Sequence, residues 1–221
     1  MPIPTLKPIR IVLINTSHPG NIGAAARAML NFGLDRMRIV GPRDGWPNER
    51  AVALASGAGR ILDAAMVRDD LDAVCEDLNY VFATTARPRD LTKPVMTPER
   101  AMEHARALIA SGQKVGVLFG PERAGLETED VVRADAIVSV PVNPAFASLN
   151  LAQCVLLTAY EWGRQTSEVP PEVLELAGAR LAEGQDIDRL FDRMVTGLEA
   201  RRFFWPEHKA ESMRANLENM L

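Results

Sequence analysis

The chain is poor in aromatic residues, cysteine and histidine, and each scarcity narrows what it can be. Phe, Tyr and Trp together make up 5% of the 221 residues, so a core must be built from Ala, Val, Leu and Ile. The two cysteines, Cys75 and Cys154, are too far apart in sequence for a CxxC pair or a zinc spacing, and both read as buried free thiols. His18, His104 and His208 show no metal-ligand spacing either, and no metal is expected. No apolar run reaches the length of about 18 residues that a membrane span requires, so no membrane is expected. Residues 1–5 lack a charged stretch followed by an apolar run, so no secretory leader is expected and the compartment is the cytoplasm. At the other end, Leu221 falls within a continuing helical pattern, and further chain is expected beyond it. Positive charge is not in excess: the net charge is −4, which excludes a basic nucleic-acid coat protein but not an enzyme with a local basic face. The GxGxxG fingerprint, the GxxxxGK[ST] phosphate loop and the GxSxG nucleophile elbow are all missing.

What is present is the composition of a soluble globular protein, 47% hydrophobic and 24% charged. Short apolar runs at 9–14, 37–40, 80–84, 115–119 and 136–140 read as strands. Stretches of helical periodicity at 22–32, 52–58, 69–77, 98–110 and 149–162 lie between and after them. That alternation predicts an α/β fold with a mostly parallel sheet covered on both faces. After Trp162 the composition shifts. Residues 165–171 read as a linker, and Ile187, Leu190, Phe191, Met194 and Leu198 form one apolar helical stripe, with a second helix starting near Pro206. The predicted division is a domain of residues 1–164 and a linker with helical extension of 165–221.

Three loops have the makings of a ligand site. The first opens a helix after the first strand: Gly20 and Gly23 permit a tight turn, Asn21 sits at the helix start, and Arg27 lies one turn in, able to grip a phosphate or carboxylate. The second, Phe119-Gly120-Pro121-Glu122-Arg123-Ala124-Gly125-Leu126, follows a strand, at the end of a parallel sheet where ligands bind. Glu122 can accept a hydrogen bond there or orient Arg123. The third runs from Val140 through two prolines to Ser148-Leu149-Asn150. Ser148 suits the N-cap of the last domain helix, and Asn150, a weak helix former in its first turn, points to function. Each loop read alone is equally an ordinary turn with solvated charges or caps.

Taken together and in this order, N-x-G-x-x-x-R, F-G-x-E-x-x-G-L and S-L-N resemble the SpoU branch of the SPOUT superfamily of RNA 2′-O-methyltransferases. Within that branch the chain is most similar to the TrmJ group of tRNA methyltransferases. Thr16-Ser17-His18, Ala53-Leu54-Ala55-Ser56-Gly57-Ala58, Thr84-Thr85-Ala86-Arg87 and Tyr160-Glu161 add to the likeness, which covers residues 9–164 well and the tail more loosely. The resemblance implies a deep trefoil knot in the C-terminal part of the α/β domain, a homodimer, and S-adenosyl-L-methionine (SAM) bent among the knot loops. It assigns Thr84, Thr85, Ala86, Gly120, Val140, Ala147, Ser148 and Leu149 to SAM. Arg27 matches the catalytic arginine, and Asn21, Glu122, Ser148 and Asn150 match motif positions lining the site.

These residue types fit methyl transfer to a ribose hydroxyl. That oxygen is a weak nucleophile until its proton is displaced, and the enzyme must align it and find the proton a home. Arginine is a cation at neutral pH, so Arg27 is read as holding the adjacent phosphate and positioning the hydroxyl, with the phosphate or a polar neighbour taking the proton. A tRNA partner also needs local positive charge. Arg36, Arg38, Arg43, Arg60, Arg87 and Arg89 are candidates, with Arg201, Arg202 and Lys209 from the tail. The expected activity is 2′-O-methylation of tRNA at nucleotide 32. The alternatives are a ribosomal-RNA methyltransferase of the same branch and a SPOUT-fold RNA-binding protein without catalysis.

Overall fold

A computed structural model describes residues 8–86, 92–166 and 180–221. The chain divides into two compact units, the first ending at Glu168 and the second beginning at Val169.

The first unit is a parallel seven-stranded sheet. Its strands are β1 (Arg10–Ile14), β2 (Arg36–Val40), β3 (Met66–Arg68), β4 (Tyr80–Thr84), β5 (Val95–Met96), β6 (Val115–Phe119) and β7 (Ala136–Val138), in the spatial order β3-β2-β1-β6-β4-β7-β5. Strand β1 is central, with Leu13 opposite Ile39 on one side and Phe119 on the other. Its side chains alternate between two cores. Ile11 and Leu13 pack with the apolar faces of α1 (Pro19–Asn31), α5 (Pro98–Ala110) and α7 (Leu151–Arg164). Val12 and Ile14 pack with α4 (Leu71–Cys75) and α6 (Thr128–Arg133). Both faces are therefore covered, which is why the strands read as continuous apolar runs.

The strand β4, the helix α5 and the strand β6 have the bounds expected of them, and the other differences have local causes. The single helix predicted over 52–58 is two, α2 (Glu49–Ala55) and α3 (Gly59–Asp63), because Ser56 and Gly57 adopt left-handed φ of 45° and 93° that end the first. The helix predicted over 149–162 starts later, at Leu151, because Asn150 rather than Ser148 is its N-cap. The Asn150 side chain accepts hydrogen bonds from the N–H groups of Ala152 and Gln153, and the Gln153 side chain accepts the Asn150 N–H. This reciprocal pair satisfies the open end of α7. Strands β3 and β5 and helix α6 are too short to carry a periodic signal.

The second unit holds α8 (Gly184–Glu199), a 3-10 turn at Glu207–Lys209 that follows Pro206, and α9 (Ala210–Glu218). In α8 the expected stripe places Ile187, Phe191, Met194 and Leu198 half-buried, while Leu190 remains exposed. Most of the predicted linker lies outside the described residues.

Arg38 is corrected from the basic candidates. It is 6% exposed, bonded to the Val74 carbonyl and to both carboxylate oxygens of Asp77, 2.5 Å and 3.1 Å away, so it holds the sheet together and is closed to RNA. Arg36, Arg43 and Arg60, and Arg201, Arg202 and Lys209 of the tail, are exposed. Arg87 and Arg89 lie outside the described residues.

Candidate active site

Because every strand runs the same way, the segments after β1, β4, β6 and β7 all leave from one edge of the sheet. Three of them enclose a cavity of about 260 Å³. All eight residues that the resemblance assigns to SAM line it: Thr84, Thr85 and Ala86 after β4, Gly120 after β6, and Val140, Ala147, Ser148 and Leu149 after β7. The β4 segment is fixed by the Thr84 hydroxyl donating to the Leu118 carbonyl at 2.8 Å and the Thr85 N–H to the Val138 carbonyl at 3.1 Å. The β6 loop doubles back: the Gly125 N–H bonds the Pro121 carbonyl at 2.8 Å, and a Cβ on Gly120 would sit 2.3 Å from the Leu126 nitrogen. Only glycine permits that turn.

Beside the cavity three site residues form one chain of hydrogen bonds. The Asn21 amide donates to Glu122 Oε1 at 2.7 Å, and the Asn150 amide donates to Asn21 Oδ1 at 3.1 Å. The second Glu122 oxygen accepts the Ser17 N–H at 2.9 Å. Burial alone would push the Glu122 carboxyl up, but the bonds from Asn21, from its own N–H, and from the backbone at Ser17 and His18 together hold it below its ordinary value of 4.5. It is an ionised anchor with both oxygens engaged. Orientation of Arg123, the alternative role, has no bond behind it: among the described residues the Glu122 carboxylate bonds Asn21 and Ser17.

The remaining two candidates stand apart from this chain. Ser148 is exposed at the cavity wall. Arg27, on α1, is exposed and lines neither this cavity nor the more open one bounded by Asn21 and Asn150. The sequence reading missed Val138, Leu151 and Cys154 as lining residues, all outside the three loops. Cys154, expected as a buried free thiol, is free and half-buried against the core at the cavity wall, with its thiol pushed up to about 11 by burial, partly offset by a bond with the Thr84 side chain. Its position one turn into α7, after Asn150, was the available signal.

Residues 8–160 match the SpoU rRNA methylase family. The chain belongs to that family. This SpoU methylase is 44% identical over 153 residues to the tRNA (cytidine/uridine/adenosine-2′-O-)-methyltransferase TrmJ of Pseudomonas aeruginosa, a match covering 69% of this chain and 59% of that protein, less than two thirds of its length. It is 36% identical to the tRNA (cytidine/uridine-2′-O-)-methyltransferase TrmJ of Klebsiella pneumoniae over 94% of this chain and 86% of that one. The crystal structure of TrmJ from Z. mobilis superposes with a TM-score of 0.83 at 43% identity, covering 97% of this chain and 90% of that one. AviRb from Streptomyces viridochromogenes, a SpoU methyltransferase solved in complex with AdoMet, shares the fold with a TM-score of 0.56 at 19% identity, over 74% of this chain and 59% of that one.

Proposed function

We propose that this SpoU methylase transfers a methyl group from SAM to a ribose 2′-hydroxyl of tRNA, at nucleotide 32 of the anticodon loop. The observation that carries the reading is the shared edge of the sheet, where eight residues assigned to the cofactor line one cavity beside the Asn21–Glu122–Asn150 chain. The cavity suits the cofactor: its walls offer apolar side chains such as Val138, Val140, Leu149 and Leu151 for a flat ring, and Thr84, Thr85 and Ser148 for polar groups. SAM supplies a methyl already activated on a sulfonium, so no metal is needed. The protein then has three tasks. Glu122, through Asn21, holds Asn150 at the cavity edge; Asn21 and Asn150 orient the incoming ribose; and Arg27 binds the adjacent phosphate. The hydroxyl proton passes to that phosphate or to a polar neighbour.

In this reading residues 1–164 are the methyltransferase domain, with its C-terminal part tied in a deep trefoil knot, and residues 165–221 are a linker and helical extension. The enzyme works in the cytoplasm as a homodimer. The exposed Arg27, outside both cavities, suits a site that a second copy helps to complete.

Methyl transfer from labelled SAM to unmodified tRNA transcripts, with the modified nucleotide mapped, tests the reading. Ribose methylation at nucleotide 32, lost in Arg27→Ala, is the expected result. Transfer to ribosomal RNA instead would favour the other branch of the family, and failure to bind SAM would favour a non-catalytic RNA-binding role.

A further inference from the structure

The Asn21–Glu122–Asn150 chain has a second side. Glu122 faces the SAM cavity, whereas Asn21 and Asn150 also line a separate, more open cavity of about 490 Å³. Its other walls are His18, Pro19 and Gly20 at the start of α1, and Arg50, Ala53 and Leu54 of α2. Two sequence features without an assigned role therefore meet here, through His18 of the first and Ala53 and Leu54 of the second.

The chemistry of this cavity is that of a nucleotide site. Pro19, Ala53 and Leu54 give the cavity an apolar surface, with Leu54 55% exposed. His18 is exposed, and its side chain makes no capping bond to α1, so its ring is available to stack. Arg50 is exposed, and among the described residues its guanidinium has no hydrogen-bond or ion-pair partner. Its backbone is held separately by the Asn48 cap at 3.0 Å. An apolar surface, a flat ring and a free guanidinium suit a base with its phosphate. Asn21 and Asn150, which orient the methylated ribose in this reading, form only one edge of the cavity, and His18, Arg50, Ala53 and Leu54 extend its surface past them to a unit beside that ribose.

We propose that this second cavity seats an RNA nucleotide flanking the methylated one, with its base on the His18–Leu54 surface and its phosphate on Arg50. The proposal rests on the tRNA methylation reading. It makes Arg50, Leu54 and His18 determinants of sequence context and of RNA affinity, and leaves SAM affinity to the other cavity.

The test uses the full chain, SAM, and three full-length tRNAs: the unmodified tRNA, and two carrying an abasic residue immediately 5′ or 3′ of the methylated nucleotide. For the wild type, one of the two abasic RNAs should raise KM by about tenfold, the loss of one stacked base. In Leu54→Glu that RNA and the intact one should have the same KM, because the seat is already lost. Arg50→Gln should weaken binding of the intact RNA and reduce the slope of log Kd against log salt by about one, the signature of one phosphate contact. SAM Kd should stay at the wild-type value in both variants, which also reports that they fold. Wild-type KM insensitive to both abasic RNAs, or an abasic loss that persists undiminished in Leu54→Glu, would overturn the proposal while the methylation reading stands. A wild type that binds SAM but methylates none of the RNAs would sink both.

Discussion

At the scale of single residues, the candidate site is held by one carboxylate with both oxygens engaged. The Asn21 amide bonds one oxygen of Glu122 and the Ser17 N–H the other, which fixes Asn21 and, through it, Asn150. Glu122→Gln presents an NH2 where an acceptor is needed and should lower kcat by up to about a hundredfold, as misplacement of reacting groups does, with SAM Kd nearly unchanged in calorimetry. The same bonds give a pH dependence. The Glu122 carboxyl lies below its ordinary 4.5 in the folded state, so its stabilising contribution is complete above that value and is lost as pH falls through the lower folded one. The stability gap between wild type and Glu122→Gln should therefore close progressively below pH 4.5 in acid-unfolding titrations.

At the scale of elements, the helix starts and helix contacts set the positions of the site residues. Asn150 caps α7 and bonds Asn21, so it joins the stability of the helix to the geometry of the site. Asn150→Ala should cost about 1 kcal/mol for the lost cap, lowering Tm by roughly 2–4 °C in a chain of this size, and should also depress methyl transfer. Gln153→Ala removes only the reciprocal half of the cap and should lower Tm without a matching loss of kcat. The first helix is pressed against α2 at Gly23, where a Cβ would lie 2.0 Å from the Ala51 carbonyl oxygen. A backbone atom cannot give way as a side chain can. Gly23→Ala should destabilise by about 1–3 kcal/mol despite alanine's better helix propensity, seen as a lowered midpoint in urea unfolding.

At the scale of the whole molecule, position rather than number decides what charge does. The chain is acidic overall, yet Arg36, Arg43 and Arg60 are exposed while Arg38 is sealed against Asp77. Bonds from Arg38 and Lys114 hold the Asp77 carboxyl far below the usual carboxylate range, against a smaller opposing effect of burial. Reversing Arg36, Arg43 and Arg60 together to Glu should weaken tRNA binding and flatten its salt dependence in filter-binding titrations. Arg38→Ala should leave that slope alone and lower Tm instead, because Asp77 loses its main partner.

Much of this was legible along the chain, for a reason tied to range. Strand β4, helix α5 and strand β6 are set by local periodicity and appear with the bounds their residues predict. Thr84, Gly120 and Ser148, each singled out from a few consecutive positions, line one cavity. What sequence could not supply is pairing across distance. That Asn150 caps its helix while reaching Asn21, 129 positions earlier, follows from two loops meeting at one sheet edge. Arg36 and Arg38 share one face of β2, so strand alternation does not separate them: Arg38 is buried because Val74 and Asp77 close over it, whereas Arg36 at the first strand position stays exposed. Local order was written in residue spacing, whereas which side chains share a bond or a cavity was decided by the parallel sheet that gathers distant loops at a single edge.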